Sequence, residues 1–204
     1  MRRNGRSLID RLSRVHPLTP LLVWMPLAAW FLWRSIAAGQ ASPGLMVALA
    51  AAALFVWTFT EYAVHRFVFH LRPTSPERRR VQFAIHGIHH ANPADSERLL
   101  MPLVPAAIGL ASLYGLFRAV LGSSLVEPFM AWFILGYLAY DYIHLAIHCG
   151  SPRTRLGRYL RRRHMLHHFV TPDARWGVTS PLWDWVMGTT GERRPRARRI
   201  TVTP

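Results

Sequence analysis

His164, His167 and His168 stand within the string RRRHMLHHF. On a helix the spacings i, i+3 and i+4 fall on one face, so the three imidazoles are expected to point the same way as a ligand face. The pattern recurs as His86, His89 and His90 in AIHGIHH. A histidine pair precedes each copy, His65 and His70 in EYAVHRFVFH and His144 and His148 in DYIHLAIH. Ten of the 11 histidines thus lie in four clusters, and His16 stands apart. Positions 71–85 and 149–163, fifteen residues in each half, separate pair from triplet. An acidic residue followed by tyrosine opens each pair, Glu61 with Tyr62 and Asp141 with Tyr142. Duplication and convergence of two half-sites both account for this repeat, and a shared metal site follows from either.

Neutral imidazole binds zinc, copper, iron and nickel. Ten such ligands exceed the need of one ion, and two ions with four or five imidazoles each fit the count. Structural zinc sites usually draw on cysteine, and the single Cys149, expected as a small buried residue, offers no thiolate set. A hydrolytic zinc site lacks its usual HExxH pattern. Iron that activates dioxygen suits an unreactive alkyl substrate beside a bilayer. An all-imidazole shell leaves the metal charge largely uncompensated. Glu61, four residues before His65, and Asp141, three before His144, are placed to hold a ring nitrogen and offset part of it. The i, i+5 spacing of His65 and His70 puts them on different faces of an α-helix unless the helix ends between them.

Apolar segments must carry these clusters. A net charge of +15 with 51% hydrophobic residues is unusual in a soluble domain, where the Ala-rich segments would be buried helices of a bundle, and such apolar runs are not needed by a nucleic-acid binder. The expected class is all-α and integral to a membrane: four transmembrane helices with a cytoplasmic, helical, histidine-rich cap. Residues 1–16 form a basic arm with no signal-peptide pattern, 17–190 the membrane domain, and 191–204 a basic tail. The first span starts at residue 17, bends at Pro26 and lets Arg34 snorkel. The second covers 45–60. The third, 99–121, is expected to be irregular because of Pro102, Pro105, Gly109 and Gly115. After a link at 122–128, the fourth covers 129–142 and continues as a helix to His148. Residues 81–90 form a short helix. Trp24, Trp30, Trp33, Trp57 and Trp132 are read as lipid-facing or interfacial anchors. Ser180 and Pro181 start a short helix whose Trp183, Trp185 and Val186 rest on the membrane or roof the site. Four spans put every arginine-rich segment and all ten clustered histidines on one side, which the positive-inside rule assigns to the cytoplasm, here of a bacterial inner membrane.

The strings EYAVHRFVFH, HGIHH, NPADSERLLMP, YDYIHLAIHCG, RRRHMLHHF and WGVTSPLWDWVMGT resemble the membrane fatty acid hydroxylase and sterol desaturase superfamily. They look most like the catalytic part of fatty acid 2-hydroxylases acting on sphingolipid acyl chains. The resemblance implies two iron ions, with zinc as a possible substitute in purified protein, and O2 as co-substrate for inserting one oxygen atom into an acyl C–H bond. It implies His65, His70, His86, His89, His90, His144, His148, His164, His167 and His168 as ligands, with Tyr140 and Asp141 beside them. It also implies a separate electron donor, such as cytochrome b5 or a ferredoxin with its reductase. Leu145 departs from the tyrosine that eukaryotic members usually carry there, which leaves the substrate open. Desaturation, or hydroxylation of a sterol or carotenoid, uses the same centre. Haem-mediated electron transfer and metal transport or sensing are the readings of another class.

Overall fold

A computed structural model describes residues 14–191; the expectations for 1–13 and 192–204, which are nearly all of the basic arm and tail, lie outside the described residues. Every regular element among these residues is helical. Helix α1 spans Thr19–Ala37 and continues past Pro26. Helix α2 spans Pro43–Ala63, with Ser42 as N-cap accepting from the Leu45 amide and Pro43 in the first turn, where no amide donor is needed. It runs on into a π-helical turn, Val64–Phe69. Helix α3, Pro76–Gln82, passes through a second π turn, Phe83–Gly87, into α4, Ile88–Ala91. Helix α5 is Leu103–Cys149, α6 is Arg155–Phe169, and α7 is Leu182–Val186.

At about 1.5 Å per residue the 47 residues of α5 would reach roughly 70 Å if straight, more than twice a hydrocarbon core of about 30 Å. Gly122 breaks it, with φ 76° and ψ 177°, a left-handed conformation that strains any residue with a Cβ. The backbone turns back there. Phe117 lies 4.9 Å from Phe129 and 5.3 Å from Phe133 between ring centroids, contacts that a straight helix would hold about three and four turns apart. Arms 103–121 and 123–149 thus form a helical hairpin. The expected link at 122–128 contracts to one residue, and helix resumes at once. The expected irregularity of the first arm is absent, because Pro105 falls in its first turn, where the missing N–H has no intrahelical partner to lose.

Three helical segments among the described residues are long and apolar enough to cross a membrane, and 28, 11 and 22% of their most apolar windows are buried. Most of each surface therefore faces outward with leucine, isoleucine, valine and tryptophan, which is the arrangement of a lipid-facing protein. Packing between the helices rests on close fit. Trp57 of α2 lies against Gly136 of α5, where an added Cβ would meet the indole Cγ at 2.8 Å. The same indole contacts Phe133, Tyr137 and Tyr140 at 5.1–5.9 Å between centroids. Trp24 is buried in the core, Trp57 and Trp132 pack half-buried against it, and Trp30 and Trp33 are exposed. Arg34 pairs with the buried Glu127 at 3.3 Å instead of only snorkelling, at the end of the bundle far from the histidines. Cys149, expected to be buried, is exposed.

Candidate metal centre

The described histidines form two sets, each with ligand atoms within 4.8 Å of one another. Site 1 comprises His65, His70, His86, His90 and His167; site 2 comprises His89, His144, His148, His164 and His168. The i and i+4 members of each triplet serve their own half, while the i+3 member crosses to the other. His89 joins the second pair, and His167 joins the first. The expectation of three imidazoles on one ligand face is corrected by helix geometry. Residue i+3 falls about 60° back from residue i and i+4 about 40° forward, which lets adjacent centres divide them. The sites share a wall of rings, with His90 of site 1 stacked on His168 of site 2 at 4.1 Å. His16 lies outside both sets and accepts a hydrogen bond from the Leu18 amide through Nδ1.

The π turn brings His65 and His70 together. The His70 amide donates to the His65 carbonyl at 3.2 Å, an i to i+5 bond that places the two residues on one face. The second π turn precedes His90 in the same way. Gly87 admits the Phe83 ring, which an added Cβ would meet at 2.8 Å.

The rings converge through Nε2. In site 2, His164 Nε2 lies 2.9 Å from those of His144 and His148 and 3.0 Å from that of His168. In site 1, His90 Nε2 lies 3.1 Å from that of His70 and 3.0 Å from that of His86. An imidazole nitrogen carries at most one hydrogen, so the three contacts of His164 cannot all be hydrogen bonds. Lone pairs this close repel unless a cation sits among them. With metal–nitrogen distances of about 2.1 Å, octahedral shells have edges of roughly 3.0 Å and tetrahedral shells about 3.4 Å. The observed separations of 2.9–3.1 Å are short enough for one ion to be held among each set of nitrogens.

Several side chains fix this arrangement. His65 donates through Nδ1 to the Trp176 carbonyl at 2.6 Å, and His167 donates to the Ala174 carbonyl at 2.8 Å. Both rings thereby present a bare Nε2, and neither Nε2 has a hydrogen-bond partner. Burial, reinforced by neighbouring imidazoles, pushes His70 down to about 4 and His90 to about 3, and holds His86, His89, His164 and His168 well below the usual histidine range. Burial also lowers His167, against the pull of the Ala174 carbonyl. At neutral pH these rings are neutral donors.

The acidic residues take roles other than the expected one. Glu61, buried, accepts from the Val178 amide at 2.5 Å, the Thr179 amide at 2.9 Å and the Thr179 hydroxyl, so it anchors the loop after α6 and does not hold His65. Asp141 is fully buried near the Tyr137 hydroxyl and the Met101 amide without closing a hydrogen bond to either, and His144 Nδ1, toward the Leu99 carbonyl, closes none. Tyr140 stacks on His144 at 5.7 Å and packs on Trp57. Sequence reasoning missed Asp184, whose carboxylate is wholly buried and accepts from Trp176 and Gly177 amides, Thr189 and Arg163. Its signal was its place in the string WGVTSPLWDWVMGT. Trp183 of α7 donates to Thr58 at 2.9 Å, whereas Trp185 and Val186 are exposed.

Known proteins resemble this chain in sequence and in fold. The dihydroceramide fatty acyl 2-hydroxylase FAH1 of Arabidopsis thaliana is 34% identical over 168 residues, covering 82% of this chain and 70% of its own length. The fatty acid 2-hydroxylase of Rattus norvegicus is 31% identical, covering 90% of this chain, which spans 55% of the rat protein. A solved structure described as full-length scs7p, with only the hydroxylase domain visible, superposes with a TM-score of 0.83 at 30% identity, covering 90% of this chain and 69% of that one. With residues 50–189 matching the model of the fatty acid hydroxylase family, the chain belongs to that family.

Proposed function

We propose that this protein is an O2-dependent, dimetal lipid hydroxylase that inserts oxygen into a C–H bond of its substrate, with iron in both sites and a fatty acid or sphingolipid acyl group hydroxylated at carbon 2. The observation that carries the reading is the pair of five-imidazole sets, with no carboxylate or thiolate in either. Bound iron would supply oxygen activation and hydrogen abstraction, chemistry that no side chain here performs. Ten neutral imidazoles would leave the charge of two bound ions largely uncompensated. The protein supplies orientation. Carbonyls of Ala174 and Trp176 fix two rings, Tyr140 backs a third, and the loop anchored by Glu61 covers site 1.

In this reading the two arms of α5 cross the bilayer separately, giving four spans with the histidines at the cytoplasmic face. The acyl group enters sideways between spans. Electrons come from a separate acidic protein. Arg153, Arg155, Arg158 and Arg162 are exposed, and the groove formed by Ser151, Pro152, Arg158, Arg161, Arg162 and Met165 lies beside site 2, where Arg161 faces His148. The test is lipid mass spectrometry of cells expressing the wild type or His167→Ala. Acyl groups that gain one oxygen only with the wild type support hydroxylation. Loss of two hydrogens would instead indicate desaturation, and unchanged lipids would refute both.

A further inference from the structure

The Asp184 carboxylate reaches site 1 without touching it. Its Oδ2 accepts from the Gly177 amide at 3.0 Å. That N–H belongs to the same peptide group as the Trp176 carbonyl, which receives the His65 Nδ1 proton at 2.6 Å. Carboxylate, peptide and imidazole therefore form one hydrogen-bonded relay, in which each bond polarises the next. A second connection runs alongside, made through the Thr189 residue and not through one continuous chain of hydrogen bonds. The Ala174 carbonyl that holds His167 belongs to a peptide whose Arg175 N–H donates to the Thr189 carbonyl at 2.8 Å, and Thr189 donates from its hydroxyl to Asp184 Oδ1 at 2.8 Å.

The surroundings leave little freedom. Asp184 is fully buried, and its other partners are the Trp176 amide at 2.9 Å and Arg163 Nη2 at 2.9 Å, so two donors meet each carboxylate oxygen. At Gly177 an added Cβ would meet the Ser180 carbonyl oxygen at 2.0 Å and Asp184 Oδ2 at 3.2 Å, so the approach needs glycine. Among the described residues no carboxylate is linked in this way to a site 2 ring; His144 faces the Leu99 carbonyl instead.

We propose that Asp184 is the anionic positioning residue of site 1, acting through the 176–177 peptide group to fix the tautomer and raise the donor strength of His65, with His167 held in parallel. It distinguishes two sites that otherwise offer the same five imidazoles. The inference rests on reading the histidine sets as metal sites. In a histidine–metal site, loss of a carboxylate that orients a ligand typically lowers metal affinity about 10–100-fold.

The experiment titrates metal-free protein in detergent with Co2+ against a competing chelator, reading bound metal and cobalt absorption per protein molecule. Wild type should take two ions. Asp184→Asn places an amide NH2 against two donors and removes the charge. It should weaken one ion about 10–100-fold and leave the other unchanged, the retained ion reporting an intact fold. Asp184→Asn with His65→Ala should still hold one ion tightly, and Asp184→Asn with His148→Ala should hold none tightly. Two ions at wild-type affinity in Asp184→Asn, or equal weakening of both, would overturn the inference. A wild type that binds no metal would instead refute the metal reading itself.

Discussion

Substituting His89 and His148 together should disable one metal site, whereas substituting His86 and His89 together should injure both. The crossing of His89 into the second set drives this expectation. Loss of a residue that only orients a ligand lowers affinity about 10–100-fold, so loss of a ligand itself is set at roughly 100-fold, or about 2.7 kcal/mol. His89→Ala/His148→Ala removes two of the five imidazoles of site 2. On additive effects it leaves one site at wild-type affinity and one weakened by roughly 10,000-fold. His86→Ala/His89→Ala removes one imidazole from each set and leaves two sites weakened by about 100-fold each. Chelator-competed Co2+ titration of metal-free protein in micelles separates a biphasic curve with one native phase from a uniformly shifted one. If each HxxHH triplet served a single ion, the two curves would change places. A native-affinity phase in His86→Ala/His89→Ala would refute the partition.

Three further outcomes are expected. Gly136→Leu drives a side chain into Trp57, and overpacking of this kind destabilises by about 1–3 kcal/mol, seen as a lower midpoint of thermal unfolding in detergent. In metal-free protein, His70 and His90 hold folded values near 4 and 3 against 6.5 for a free histidine, so the unfolded state binds protons first. The stability they contribute is full above about pH 6.5 and is lost as pH falls toward 4 and then 3, which thermal melts across that window will check. Arg158→Glu with Arg162→Glu should raise the KM for an acidic electron donor by about tenfold and flatten its salt dependence, with metal content unchanged.

Hydropathy made the helical segments legible, and clustering with residue type exposed the histidines that form the two sets, because both are local properties of the sequence. What escaped depends on neighbours in space. Whether His167 serves its own half or the other is decided by how α6 sits against α4 and the π turn of α2. The π turn itself hides in an i, i+5 spacing that reads as two faces of an α-helix. The hairpin at Gly122 was legible as a break but not as a one-residue break, since the polar residues after it could equally be a loop. Glu61 was identified by its distance from His65, yet the loop amides took its carboxylate. Asp184 follows every histidine and lies in the first turn of a short helix, where an acidic residue has a simpler local explanation.

The exchange of His89 and His167 also governs the order of events during synthesis. The first half of the sequence holds four of the five ligands of site 1, and the fifth comes from α6. The carbonyls that lock His65 and His167, and the Thr189 that supports them, come later still. A nascent polypeptide emerging from the ribosome thus cannot complete either histidine set until the end of α6 is available. Assembly of either set is therefore a late step that waits for closure of the bundle. A product truncated before α6 is left with four imidazoles of site 1 and three of site 2, so neither set is complete.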